Sequence, residues 1–164
     1  MERMDTGAIA AELLGLERKG RNDGLEGTDS ERRQQLRREL LRRLNPPPAS
    51  ERRKFLRIPA DLEVKLRLGQ ATITCPAREL SMGGLSLYGH LWVIEDQELV
   101  LENLRVGSRD YPMEVKSRVV WKVSDEDERP RAGLQFVAVG PSEKRQIKAV
   151  FEQLFIELLE RLAT

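Results

Sequence analysis

The sequence has 164 residues, 34% of them charged in near balance, for a formal net charge of +1. That length holds one large domain or one domain with an appendage, and no global field marks a nucleic-acid binder or a polybasic membrane protein. One cysteine, Cys75, excludes an intrachain disulfide, and one histidine, His90, leaves almost nothing for a His-based triad or a multi-His zinc site.

The lone thiol reads as a cytoplasmic chain. Glu2, Arg3 and Asp5 stand near the start without a long apolar core, so no signal peptide is expected there. No uncharged apolar run approaches the roughly 18–20 residues needed to span a bilayer.

Residues 1–50 differ in character from the rest and read as a helical extension with a Pro-rich linker. Ile9, Leu13 and Leu16 share one helical face, which predicts a helix over 6–18. Gly20, Gly24 and Gly27 mark a flexible break. A second helix is expected over 29–44, opened by a capping box from Thr28 to Glu31, with Leu36, Leu40 and Leu44 as a narrow stripe. Pro46-Pro47-Pro48 then predicts a stiff extended linker.

Residues 31–43 carry six Arg and two Glu, and Arg32, Arg38, Arg42 and Arg43 lie mostly off the leucine stripe. Such a helix is either a solvated amphipathic element packed on its own domain or on a second copy, or a docking helix for a partner protein. Nucleic acid is the weakest reading, since no aromatic or DNA-binding motif accompanies the charge.

From Arg57 onward the period changes to two. Leu62, Val64, Leu66 and Leu68 alternate with Glu63, Lys65 and Arg67, the pattern of a half-buried strand. Gly69-Gln70 can turn the chain into a second strand over 71–79, with Ile73 and Cys75 on one side. Leu85 and Leu87 start a third. Residues 91–102 give a fourth, irregular stretch ending in Glu98-Leu99-Val100-Leu101. Met113, Val115, Val119 and Trp121 make a long fifth, and Ala132, Leu134 and Phe136 a sixth, with Gly133 at a point of close packing or bending. His90 reads as a loop residue, and Asp125-Glu126-Asp127-Glu128 as an exposed hairpin turn. Short strands with turn signals between them describe a mainly β fold, a small barrel or sandwich.

Pro141-Ser142-Glu143 opens a last helix, with Ser142 as the expected N-cap. Ile147, Val150, Phe151, Leu154, Leu158 and Leu162 hold one face. Ile156 and Leu159 lie off that stripe, so this helix, 142–163, is expected to cover the strands and to offer a second apolar side. Helices 29–44 and 142–163 are thus the candidate surfaces for a protein partner or for a homodimer.

Two short segments remain. Arg52-Arg53-Lys54-Phe55-Leu56-Arg57 precedes the first strand, and Glu79-Leu80-Ser81-Met82-Gly83-Gly84 joins the second to the third. Together with Val119-Val120-Trp121 and Ala132-Gly133-Leu134-Gln135-Phe136, over residues 51–155, they resemble the PilZ domain family, which binds the bacterial second messenger cyclic di-GMP. The resemblance implies a six-stranded antiparallel β-barrel followed by a helix, here a domain over 51–164. It implies a non-enzymatic receptor that relays the nucleotide level to a protein partner, in pathways such as motility or biofilm formation. Arg53 and Arg57 match the two motif arginines, Arg52 the arginine that often precedes them, and Ser81, Gly83 and Gly84 the turn. The family has Asp or Asn where this chain has Glu79.

The residue types suit the ligand. A guanidinium pairs bidentately with phosphate oxygens, and its fork matches O6 and N7 of guanine. Ser81 offers a hydroxyl donor and acceptor. The glycines permit unusual backbone conformations and close approach of a flat base. Glu79 keeps the acceptor oxygens but adds a methylene, so its carboxylate sits more than about one ångström from the family position unless the chain bends. The alternative is a PilZ-like scaffold that no longer binds nucleotide, with Glu79 pairing to Arg53 or Arg57. An enzyme is disfavoured, because no nucleophile–base pair or metal centre assembles.

Overall fold

The computed structural model describes residues 4–89, 93, 95–123 and 130–164; His90 and the acidic run 125–128 lie outside the described residues. The chain divides into two compact units, Met1–Ile58 with Glu152–Thr164, and Pro59–Phe151.

In the helical unit, α1 runs Thr6–Asn22, α2 Gly27–Leu44 and α3 Ala49–Arg52. The C-terminal half of α4 (Pro141–Leu162) completes it. Asp5 caps α1, its carboxylate accepting the Ala8 N–H at 2.7 Å. The helix continues past the expected end through Gly20, whose missing Cβ leaves room for Leu25: a methyl there would lie 3.2 Å from Leu25 Cγ. The expected capping box at Thr28 does not form. The helix begins earlier, at Gly27 with φ +50°, a conformation that disfavours any side chain, and Thr28 falls inside the first turn. The three prolines make a turn and not an extended linker: Pro48 sits at φ −85°, ψ −2°, and its carbonyl accepts the Glu51 N–H at 3.1 Å to start α3. Proline fixes φ, which a turn shares with an extended chain, and leaves ψ open.

Ile9, Leu13, Leu36, Leu40, Phe155 and Leu159 form the buried interior of this unit. The second apolar side of α4 is therefore covered by the chain itself, where an outward-facing surface had been expected. The arginines of α2 contribute a polar seam. Arg32 pairs bidentately with Glu12 at 2.8 and 3.0 Å. Arg37 donates to Glu152 and lies 4.7 Å over the Phe155 ring. Glu17, 7% exposed, sits 3.6 and 3.7 Å from the guanidinium nitrogens of Arg33 and Arg37. Arg38 and Arg42 remain exposed.

The second unit is a closed antiparallel barrel of six strands in the order β1-β2-β3-β6-β5-β4. Its strands are β1 Ile58–Leu68, β2 Ala71–Ser81, β3 Gly84–Tyr88, β4 Glu98–Val106, β5 Arg109–Val123 and β6 Arg131–Ala138. The fold class read from the sequence is thus the observed one. β1 shows the clearest alternation, with Leu62, Val64 and Leu66 buried and Glu63 and Lys65 exposed. β1 pairs with β4 to close the barrel, with a register shift at Lys65/Leu66. Gly133 on β6 faces Trp121 on β5, and a Cβ there would overlap the indole. α4 starts at Pro141, with the Gly140 carbonyl accepting the Lys144 N–H at 2.9 Å. Ser142 is an exposed first-turn residue and not the cap, because proline's fixed φ suits the first helical position.

Candidate functional site

The arginine segment begins at the end of α3. Arg52 ends α3 and is exposed; Arg53 caps α3 in an extended conformation, its N–H donating to the Ala49 carbonyl at 3.1 Å. Arg53 and Arg57 are half-buried. Both are tied to one residue that sequence reasoning did not single out, Asn45, only 1% exposed. Its Oδ1 accepts from Arg53 Nη1 at 2.8 Å and from the Arg57 backbone N–H at 3.1 Å. Its Nδ2 donates to the Arg57 carbonyl and to the Leu41 carbonyl, each at 2.8 Å. Two donors and one acceptor oxygen are thereby fully used, as burial of an amide demands. Asn followed by Pro at a helix end is a visible turn signal, but its partners depend on the turn at 46–48.

Phe55, between the arginines, is 43% exposed, with Lys54 Nζ 5.4 Å from its ring centre.

The second segment lies at the β2–β3 turn. Ser81 pairs with Gly84 across the hairpin, and Met82 and Gly83 make the bend. The Ser81 hydroxyl, buried, accepts the Gly83 N–H at 3.1 Å and donates to the Gly84 carbonyl at 3.3 Å. Gly83's carbonyl in turn accepts the Phe136 N–H at 2.9 Å. Gly84 does not use the positive-φ freedom that its residue type allows. Its requirement is space, since a Cβ would collide with the Leu134 carbonyl of β6.

Glu79 is half-buried on β2, beside a register shift between Ala77 and Glu79, and its Oε2 accepts from Ser86 Oγ at 3.4 Å. Ser86, 3% exposed, was also not anticipated. Alternation would point it away from Leu85 and Leu87 toward solvent, yet β3 is covered on both faces from Gly84 to Leu87.

The arginine set thus belongs to the helical unit and the Glu-Ser-Gly-Gly set to the barrel. The first supplies delocalised cations and planar donors; the second supplies a carboxylate at a hairpin whose backbone is shaped by Ser81. Two recesses on the barrel, of about 500 Å³ beside Lys65, Glu102 and Asp110 and about 330 Å³ beside Leu99, Lys116 and Val137, include none of these residues. Cys75 is a buried strand residue whose thiol is pushed up to about 11 by burial, which keeps it unreactive near neutrality. Among the described residues no cluster of three or more His, Cys, Asp or Glu is placed to hold a metal ion, and no helix is long and apolar enough to cross a membrane.

The PilZ domain family profile matches residues 51–153. Among solved structures, the fold is similar to the PilZ domain of YcgR from Escherichia coli with c-di-GMP, at 19% identity over 67% of this chain and 96% of that one, TM-score 0.51. It is similar to the MrkH–c-di-GMP complex of K. pneumonia, at 16% identity over 67% and 55%, TM-score 0.53. It is also similar to the Bacillus subtilis inhibitor of motility MotI/DgrA, at 17% identity over 62% and 50%, TM-score 0.51. The chain spans about half the length of the MotI/DgrA and MrkH chains. No curated protein matches the sequence.

Proposed function

The chain belongs to the PilZ domain family, and from that premise we propose that it is a receptor for cyclic di-GMP. PilZ domains are typically non-catalytic receptor domains. The observation that carries the reading is the pair of segments inside the matched span: Arg52, Arg53 and Arg57 before β1, and Glu79, Ser81, Gly83 and Gly84 at the β2–β3 turn. Arg53 and Arg57 meet phosphate oxygens or the O6/N7 edge of guanine, and Arg52, the most exposed of the three, adds charge. Glu79 accepts from guanine N1–H and N2–H. Ser81 keeps the hairpin tight, so its hydroxyl acts on the ligand chiefly by fixing the backbone of Gly83 and Gly84. Binding is relayed to a protein partner, which would meet the exposed charged faces of α2 or α4, since their apolar stripes are buried.

A second reading is a PilZ scaffold that has ceased to bind nucleotide, in which Glu79 serves the barrel: its Oε2 accepts from Ser86 Oγ. Calorimetric titration of the full chain with cyclic di-GMP separates the two. Receptor function predicts saturable binding at micromolar concentration or tighter, weakened at least about a hundredfold in Arg53→Ala and in Arg57→Ala, in line with loss of a charge-assisted pair. No heat and no saturation with the natural chain would leave the scaffold.

A further inference from the structure

We propose that Asn45 is a positioning residue for nucleotide binding, one that sets Arg53 and Arg57 and ties them to the last turn of α2. The inference rests on the receptor reading above. Four observations carry it. Asn45 is almost completely buried although its side chain is fully polar. Its Oδ1 holds both the Arg53 guanidinium and the Arg57 backbone N–H. Its Nδ2 holds the Arg57 carbonyl, so Arg57 is clamped on both sides of its Cα. The same Nδ2 and the Asn45 backbone N–H both donate to the Leu41 carbonyl, at 2.8 and 3.0 Å.

The consequence is geometric. A guanidinium carries five N–H donors in a rigid planar fork, and Nη1 is the group given to Asn45, so that contact fixes the fork's direction. Pre-setting a long side chain removes rotamer entropy that binding would otherwise cost. Because the same amide ends α2, any ligand that shifts Arg53 or Arg57 is felt at Leu41, and by linkage the state of that helix end alters ligand affinity by the same factor.

The test compares the full chain carrying Asn45→Ala with one carrying Arg32→Ala, which breaks the Glu12 pair between α1 and α2 and touches neither arginine of the motif. Both variants should lose some thermal stability. Only Asn45→Ala should weaken cyclic di-GMP binding, by about tenfold, the loss of one hydrogen bond to a charged group. Unchanged affinity in Asn45→Ala, or equal weakening in both variants, would overturn the proposal. If Asn45→Ala does not fold, hydrogen exchange on the natural chain decides: saturating cyclic di-GMP should slow exchange of the Arg57 and Asn45 amides, and unaltered exchange at both would refute the coupling. Should the natural chain bind no cyclic di-GMP, the receptor reading falls and this inference with it; binding without an Asn45 effect removes this inference alone.

Discussion

At the β2–β3 turn, backbone packs against backbone: Gly84 lies against the Leu134 carbonyl, and the Ser81 hydroxyl stitches the bend from inside. Before β1, the arginine segment is held by side-chain hydrogen bonds that converge on one amide, Asn45. The first arrangement cannot change without disturbing the barrel. The second can exchange partners only where the buried Asn45 amide stays satisfied, since leaving such a group unpaired costs about 1–3 kcal/mol. The two motifs that we propose act on cyclic di-GMP therefore differ in kind. The turn is set by the barrel backbone; the arginines are set by a side-chain amide at the end of a helix.

The sharpest way to break this contrast is to add one methyl group to each glycine of the barrel that approaches a neighbour. Gly84→Ala should cost about 3 kcal/mol or more, since the obstructing atom is a sheet carbonyl that cannot rotate away. Gly133→Ala should cost less, about 1–2 kcal/mol, because the half-buried Trp121 indole can shift. Thermal or denaturant unfolding measures both. Equal, small losses would mean that the turn is as pliant as the arginine segment.

A smaller effect is expected at Glu79. Shortening it with Glu79→Asp withdraws the carboxylate from Ser86 and restores the family's reach, so cyclic di-GMP should bind several-fold more tightly, a gain of about 1 kcal/mol. Weaker binding in this variant would show that the longer side chain is already matched to its ligand.

The smallest effect concerns the helical unit. The Arg32 guanidinium bonded to Glu12 holds that carboxyl below its ordinary range. A lowered folded-state value stabilises above the unfolded pKa and is lost as pH falls through the folded one. Stability of the helical unit should thus decline below about pH 4 through this pair. The effect is small, because both side chains are more than a third exposed and solvent screens the pair. Arg32→Ala should flatten that part of the stability–pH curve.

These contrasts mirror what was legible in the sequence. Period-two alternation is dictated by the pleat, so β1 and β5 could be read from Leu62, Val64, Leu66, Val115 and Val119. The turn glycines were visible as residue types, but Gly84 is required for room and not for its φ, a distinction that depends on β6 lying alongside. Ser86 was hidden because β3 is buried on both faces and alternation gives no warning there. The Pro46–Pro48 turn was misread because proline dictates φ alone, and with it went Asn45, whose partners meet only once that turn is made. The apolar second side of α4 was legible, but its cover was not, since Phe155 and Leu159 are buried in a unit built from sequence-distant helices.

The central claim is that the arginine segment carries ligand recognition without carrying the fold. It is tested most directly by thermal unfolding of the natural chain and of Arg53→Ala, each with and without saturating cyclic di-GMP. Arg53→Ala alone should lower the midpoint by only about 2–4 °C, the loss of roughly 1 kcal/mol. Ligand at a hundred times Kd should raise the natural chain's midpoint by about 5–10 °C, from about 2.7 kcal/mol of linkage, and leave the variant's nearly unmoved. A natural chain that does not respond, or a variant that responds equally, would contradict it.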